Sequence, residues 1–201
     1  MPSRPREVVQ VIDAQPTIEG AGVHLRRSLG SRALPLLDPF LMLDEFHSNR
    51  PEDYAPGFPS HPHRGFETVT YMLDGAVEHR DSLGNHGHLG SGWAQWMTAG
   101  HGIIHSEMPV HQPTSHNAFV YVFDGEAELG PSRAKVAAGQ LAVLGAGDLF
   151  TARTTSGARM LSFAGRPIGE PVARYGPFVM NTEDELRQAV DDYRTGRLIQ
   201  L

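Results

Sequence analysis

The stretch TYMLDGAVE, residues 70–78, recurs later in the chain as VYVFDGEAE at residues 120–128. Both copies place an apolar run before an Asp-Gly pair, with Tyr71 corresponding to Tyr121. An apolar run that ends in Asp-Gly is typical of a strand followed by a tight turn, because glycine readily adopts the positive φ of such turns. The repeat therefore predicts two copies of one β unit.

Short apolar runs bounded by turn residues extend this pattern along the chain. The 201 residues include 22 glycines and 15 prolines, which separate candidate strands at 8–12, 22–29, 67–73, 93–97, 118–123, 141–144 and 160–164. Frequent short strands between turn signals are typical of a β sandwich or barrel. We therefore predict an all-β body.

A single helix is predicted near the end of the chain. Thr182 and Glu185 form a capping-box pattern, which marks a helix start at Thr182. The apolar residues that follow recur at the spacing of one helix face: Leu186, Ala189, Val190 and Tyr193. We expect this helix to pack on the β body through that face.

Composition excludes several classes of function. The chain has no cysteine, so disulfides, thiolate metal ligands and a cysteine nucleophile are excluded. The formal net charge is −6 with scattered basic residues, which argues against direct nucleic-acid binding. No apolar run is long enough to span a bilayer, and the first ten residues, MPSRPREVVQ, lack the apolar core of a secretory signal. We expect a soluble, cytoplasmic protein that does not bind membranes.

Histidine and glutamate recur at a spacing that suits a metal site. His61 and His63 lie two residues apart in HPHRGFE, and His105 and Glu107 repeat that spacing in HSE. Residues two apart on a strand point to the same face, so two such strands would direct three imidazoles and one carboxylate to one point. This donor set suits Fe, Zn, Cu, Ni or Mn and favours a catalytic or redox ion over a structural one.

Spacing leaves the carboxylate ligand open. Glu67 has the same strand parity as His61 and His63, so it competes with Glu107 for the fourth position. His86 and His88 also lie two apart, but their glycine-flanked context predicts an exposed hairpin tip. We therefore do not expect them to bind the ion.

The second repeat copy keeps the turn signals and loses most of the candidate ligands. Aligned on this repeat, Pro113 corresponds to His63. A second match, between MTAGHG at 97–102 and LGAGDL at 144–149, makes Ala152 and Thr154 the counterparts of His105 and Glu107. We predict an N-terminal metal-binding unit over residues 1–110 and a C-terminal unit without metal ligands over residues 111–201, which ends in the helix.

Four longer blocks, at 37–46, 56–75, 95–109 and 176–186, together resemble the pirin family of the cupin superfamily. The resemblance implies a bicupin built from double-stranded β-helix jelly rolls, whose N-terminal barrel holds iron through three histidines and a glutamate. Carried over by position, it implies that the ligands are His61, His63, His105 and Glu107. Glu67 is then a residue that orients a ligand. Iron(II) is the expected ion, with Mn, Ni, Co, Cu and Zn as alternatives.

The chain departs from the family pattern after residue 109. A pirin chain continues there through further strands of both barrels, whereas this chain passes almost directly to the strand at 118–123. We therefore predict a shortened middle. Three outcomes are then open: the two half-barrels combine into one compact barrel, another subunit completes each of them, or the shortened chain is only marginally stable. A jelly roll that lacks strands exposes unpaired edges, which favours homodimerisation.

The resemblance implies a quercetin 2,3-dioxygenase activity on a small aromatic flavonol and dioxygen, with Glu107 or Glu67 as the base that takes the hydroxyl proton. The alternative that it implies is an iron-dependent, redox-sensing regulator. In that role the ion changes oxidation state, and a transcription factor or metabolic enzyme binds the altered surface around Arg64 and residues 75–90.

Overall fold

The computed structural model describes residues 4–81, 85–98 and 116–198 of the chain. The strands are β1 Val8–Asp13, β2 Gln15–Glu19, β3 Val23–Leu29, β4 Leu43–Glu45, β5 Glu67–Tyr71, β6 Ala76–Arg80, β7 His86–Gly90, β8 Ala94–Thr98, β9 Asn117–Leu129, β10 Ala134–Ala137, β11 Gln140–Leu144, β12 Ala152–Arg153, β13 Ala158–Gly165, β14 Ala173–Tyr175 and β15 Phe178–Met180. A single 3-10 turn covers Pro51–Asp53, and helix α1 covers Glu183–Arg194. The predicted all-β fold with a C-terminal helix is confirmed.

The chain divides into two compact units that are each assembled from separate segments. The first unit comprises Met1–Pro59 with Pro109–Gly169, and the second comprises Ser60–Met108 with Glu170–Leu201. Each unit thus takes residues from both sides of the boundary predicted at 110. That boundary lies outside the described residues, so the division there stays a prediction.

The first unit is built around β9. This strand pairs with β10, β11, β12 and β13, all antiparallel. Residues 118–122 are all buried, and they alternate between two apolar clusters. Phe119 and Tyr121 belong to one cluster, whereas Val120 and its even-numbered neighbours belong to the other. A strand buried on both faces needs a continuous apolar run, and AFVYVF supplies it.

The described part of the second unit contains three two-stranded antiparallel sheets and the helix. Strand β5 pairs with β8, β6 with β7, and β14 with β15. The helix buries Leu186 and Ala189 against Phe178, as the apolar spacing predicts. Its start is also confirmed, because the Glu185 amide donates to Thr182 Oγ1 at 3.2 Å and the Thr182 amide donates to Glu185 Oε2 at 2.9 Å.

The two repeat copies form different structures. In the first copy the Asp-Gly pair at 74–75 lies in the turn between β5 and β6. In the second copy the corresponding pair lies inside β9, which continues to Leu129. Gly125 there has a φ of +73°, and β9 is irregularly paired with β13 beside it. The positive φ of Gly75 thus lies in a turn, whereas that of Gly125 lies beside a register shift between β9 and β13.

In the described parts of the chain, no helix combines the length and the apolar composition that crossing a membrane requires.

The repeat glycines allow a matched test of packing. Gly75 and Gly125 have φ values of +80° and +73°, so a Gly→Ala change strains the backbone equally at both. A Cβ at Gly125 would lie 2.3 Å from the Gly157 carbonyl oxygen, whereas a Cβ at Gly75 meets nothing within 4 Å. We expect Gly75→Ala to lower the free energy of unfolding by about 1 kcal/mol and Gly125→Ala by roughly 3 kcal/mol or more.

Urea unfolding of both variants, followed by circular dichroism, measures this difference. Equal losses at the two positions would show that conformational strain alone is responsible and that the contact at Gly125 contributes nothing.

Candidate metal centre

The two histidines of HPHRGFE lie before β5 and not within a strand. Their expected placement on a strand is therefore wrong. Pro62 has no amide hydrogen to donate, and the one ladder contact in this turn is a bridge between Arg64 and Phe178. Strand pairing resumes at Glu67, where β5 begins.

The rings of His61 and His63 are nevertheless neighbours. Their centroids lie 4.5 Å apart with an interplanar angle of 80°. The His63 ring also meets Phe66 edge-on at 4.9 Å, so an aromatic side chain supports it on another side. His61 is exposed and His63 is partly buried. The structure thus brings the first predicted ligand pair together.

His63 has the electrostatics of a neutral ligand. Burial lowers the pKa of its imidazole, and the neighbouring charge of His61 lowers it further. Its Nδ1 atom is buried and has no hydrogen-bond partner within the described residues. A neutral imidazole with an unpaired nitrogen is the form that binds a metal ion.

A glycine fixes the turn that carries the pair. Gly65 has a φ of +87°, and a Cβ at this position would lie 1.8 Å from the Val179 carbonyl oxygen. The Val179 amide donates to the Arg64 carbonyl oxygen at 3.1 Å. The turn therefore lies directly on β15, at a distance that only glycine permits.

Glu67 lies among other partners. Trp96 Nε1 donates to its Oε2 at 3.0 Å, and the Thr98 hydroxyl donates to its Oε1 at 3.1 Å. In the described ranges, no three or more His, Cys, Asp or Glu side chains are grouped so that they could hold a metal. His61, His63 and Glu67 are thus not assembled as three ligands, so the structure gives no support to Glu67 as the alternative carboxylate ligand.

The other half of the predicted centre, His105 and Glu107, lies outside the described residues and stays a prediction. The described half fits a divalent transition metal, because imidazole nitrogen is a ligand for Fe, Zn, Cu and Ni. Two nitrogens on one ion must approach closely, since each metal–nitrogen bond is about 2.1 Å. The His61 and His63 rings, whose centroids lie 4.5 Å apart, are close enough to approach one ion.

The second histidine pair is placed differently. His86 and His88 lie on β7, where they face Arg80 and Glu78 across the ladder. Both are exposed. They lie within a strand and not at a hairpin tip as predicted, and they supply an internal comparison for the pair at 61 and 63.

Sequence reasoning missed the donors around Glu67. Trp96 and Thr98 were predicted only as part of a candidate strand or its border. The register of β5 with β8 places Thr98 directly opposite Glu67 and Trp96 opposite Val69. Because Trp96 and Thr98 lie two residues apart, the sequence predicts that they share one face of a strand. It does not predict that this strand pairs with β5.

Two family models match this chain. The model named Pirin matches residues 22–121, and the model of the pirin C-terminal cupin domain matches residues 104–199. A Pseudomonas aeruginosa protein that bears the name putative quercetin 2,3-dioxygenase is 34% identical, and the match covers 98% of this chain and 99% of that protein. A pirin-like protein of Caulobacter vibrioides is 35% identical, with 98% and 100% covered.

The Pseudomonas alignment runs over 282 positions, more than the 201 residues of this chain, so the relative has residues without a counterpart here. Among solved structures, a quercetin 2,3-dioxygenase from Acinetobacter baumannii superposes with a TM-score of 0.78 at 21% identity, over 97% of this chain and 99% of that one. This likeness confirms the cupin jelly-roll fold.

Metal content should distinguish the two histidine pairs. We expect the double variant His61→Ala/His63→Ala to lose bound metal by at least about 10-fold, because two of four predicted ligands are removed. The matched control His86→Ala/His88→Ala should retain the wild-type content. Elemental analysis of untagged protein, reconstituted with iron(II) under anaerobic conditions, measures both. Equal content in the two double variants would contradict the assignment.

Proposed function

The chain belongs to the pirin family, and from this premise we propose that it is a metal-dependent dioxygenase that acts on a planar aromatic substrate of the flavonol class, such as quercetin. The observation that carries the proposal is the adjacent pair His61 and His63, together with a buried His63 Nδ1 that has no hydrogen-bond partner among the described residues. The names of the Pseudomonas relative and of the Acinetobacter structure support the reaction class.

In this proposal His61, His63, His105 and Glu107 hold the ion, and iron(II) is the expected one. A bound divalent metal with open coordination positions supplies Lewis acidity and a site for the hydroxyl oxygens of the substrate and for dioxygen. The protein residues around it bind the ring system and accept a proton.

Glu67 is the described carboxylate that we assign as the base. Its two oxygens each accept one hydrogen bond, from Trp96 and from Thr98, which fixes the plane of the carboxylate. A carboxylate oxygen has more than one acceptor position, so each oxygen can still accept the proton of a substrate hydroxyl. Glu67 thus has a defined orientation before the substrate binds.

An exposed apolar face lies beside this carboxylate. It consists of Val69, Tyr71 and Trp96, which are 53%, 46% and 61% exposed, and it shares the face of the β5–β8 pair with Glu67. Large aromatic side chains prefer stacked or edge contacts with other rings. We assign this face as the surface on which the flat substrate lies, with its hydroxyl directed to Glu67.

If Glu67 is the base, its replacement should lower the rate of turnover without changing metal binding. We expect Glu67→Gln to lower kcat for quercetin by roughly 10²-fold or more, because the amide cannot take the hydroxyl proton yet keeps the shape of the side chain. Metal content should not change, since Glu67 is not assembled with the histidines. The control is Glu78→Gln, which alters an exposed carboxylate on β6 and should leave kcat unchanged.

The assay compares quercetin consumption with and without dioxygen, using protein reconstituted with iron(II), Mn, Ni, Co or Cu. Turnover that requires dioxygen supports the proposal. Absence of turnover with all five ions would overturn it, and equal kcat in the Glu67 variant and wild type would remove Glu67 from the role of base.

A further inference from the structure

An ion pair connects the histidine turn to the C-terminal helix within the second unit. Arg64, which follows His63 directly, donates through Nη1 to Asp192 Oδ2 at 2.9 Å. The partners are 128 residues apart in the chain, and Asp192 lies in the last turns of α1. The Asp192 side chain is 15% exposed and that of Arg64 is 39% exposed, so water is partly excluded from the pair on the Asp192 side.

Other groups on the helix side hold Asp192 in place. Gln188 Nε2 donates to Asp192 Oδ1 at 2.8 Å, and Arg197 Nε lies 3.7 Å from the same oxygen. The hydrogen bond from Arg64, followed by that from Gln188, lowers the pKa of the Asp192 carboxyl group. The Asp192 carboxyl group is therefore charged at neutral pH, and Gln188 helps to fix its direction.

The backbone of the turn is held as well. The Arg64 carbonyl oxygen accepts from the Val179 amide, and Gly65 lies directly on the Val179 carbonyl. Phe178, next to Val179, packs with Leu186 and Ala189 of the helix. Backbone contacts and the ion pair thus attach the residue after His63 to one packed group, formed by β15 and α1.

We propose that Arg64, Gly65 and Asp192 are positioning residues, which hold the His61–His63 turn in the arrangement that binds metal. The inference rests on the proposed function, because it assumes that these histidines bind the ion. In this role Asp192 of the C-terminal helix sets the metal affinity of a turn that lies 128 residues earlier in the chain. Residues that orient metal ligands commonly change affinity by about 10- to 100-fold when they are replaced.

A double-mutant cycle tests the proposal through metal affinity. The variants are Arg64→Met, Asp192→Asn and the double variant, and the control is Asp191→Asn, an adjacent exposed position of the same helix. Affinity for cobalt(II) is measured by titration of metal-free protein at a temperature well below the melting point of each variant. The visible spectrum of the bound cobalt reports ligand geometry independently of activity.

We expect each single variant to bind cobalt about 10-fold more weakly than wild type, with a shifted visible spectrum, and the double variant to bind no more weakly than either single one. Asp191→Asn should match wild type. Arg64→Lys, which keeps the charge, should recover part of the affinity, and it serves with Arg64→Met as the test if Asp192→Asn does not fold.

Two failures are distinguishable. If wild-type protein binds no cobalt, the proposed metal function fails, and the inference fails with it. If wild type binds but the Arg64 and Asp192 variants match it, or if their effects multiply in the double variant, the positioning role alone is overturned.

Discussion

The first unit depends on β9, whose residues 118–122 are buried on both faces and paired with β11 on one edge and β13 on the other. Such a strand must satisfy every backbone polar group by ladder hydrogen bonds, because water does not reach it. Its four partner strands do so, and its alternate side chains supply both apolar clusters of this unit. Five consecutive buried residues leave no position there for a polar ligand. The predicted metal ligands lie outside this strand, at 61–63 and 105–107.

The equivalent tyrosines of the repeat, Tyr71 and Tyr121, differ in burial between the two copies. Tyr121 is 4% exposed, and its hydroxyl donates to Glu45 Oε2 at 2.5 Å. Burial and this carboxylate raise the pKa of the Tyr121 phenol well above its ordinary value, so it stays a neutral donor. Tyr71 is instead exposed beside Val69 and Trp96. The same local sequence thus contributes a core residue in one copy and a surface suited to a ligand in the other.

The candidate metal centre is organised by two kinds of support. Adjacency in the chain brings His61 next to His63 and Phe66, which costs little loop entropy. Contacts from distant segments then fix the turn, through Val179 at Gly65 and Asp192 at Arg64. Local spacing alone supplies the two histidines. Because their turn lies outside any strand, contacts from distant segments are needed to hold them in one arrangement. Helix α1 therefore contributes to the candidate site through the contact of Asp192 with Arg64.

Much of the local structure could be predicted from the sequence. All seven candidate strands and the helix start at Thr182 correspond to elements of the structure, because apolar periodicity, turn glycines and the capping box are local signals. The short strands β2, β4, β6, β7, β10, β12, β14 and β15 were missed, since most are three to five residues long and some are largely polar or exposed. Their pairing stabilises them more than their own composition does.

The sequence by itself determined the seven candidate strands, the start of the helix, the available donors and the histidine pair at 61 and 63. Tertiary structure alone decided that Glu67 lies opposite Thr98 and accepts from Trp96, that Arg64 meets Asp192, and that the histidines precede the strand. The physical reason is range. Periodicity and turn chemistry act over a few residues, whereas these contacts join residues 29 to 128 positions apart, whose meeting depends on strand register and the docking of β15 and α1.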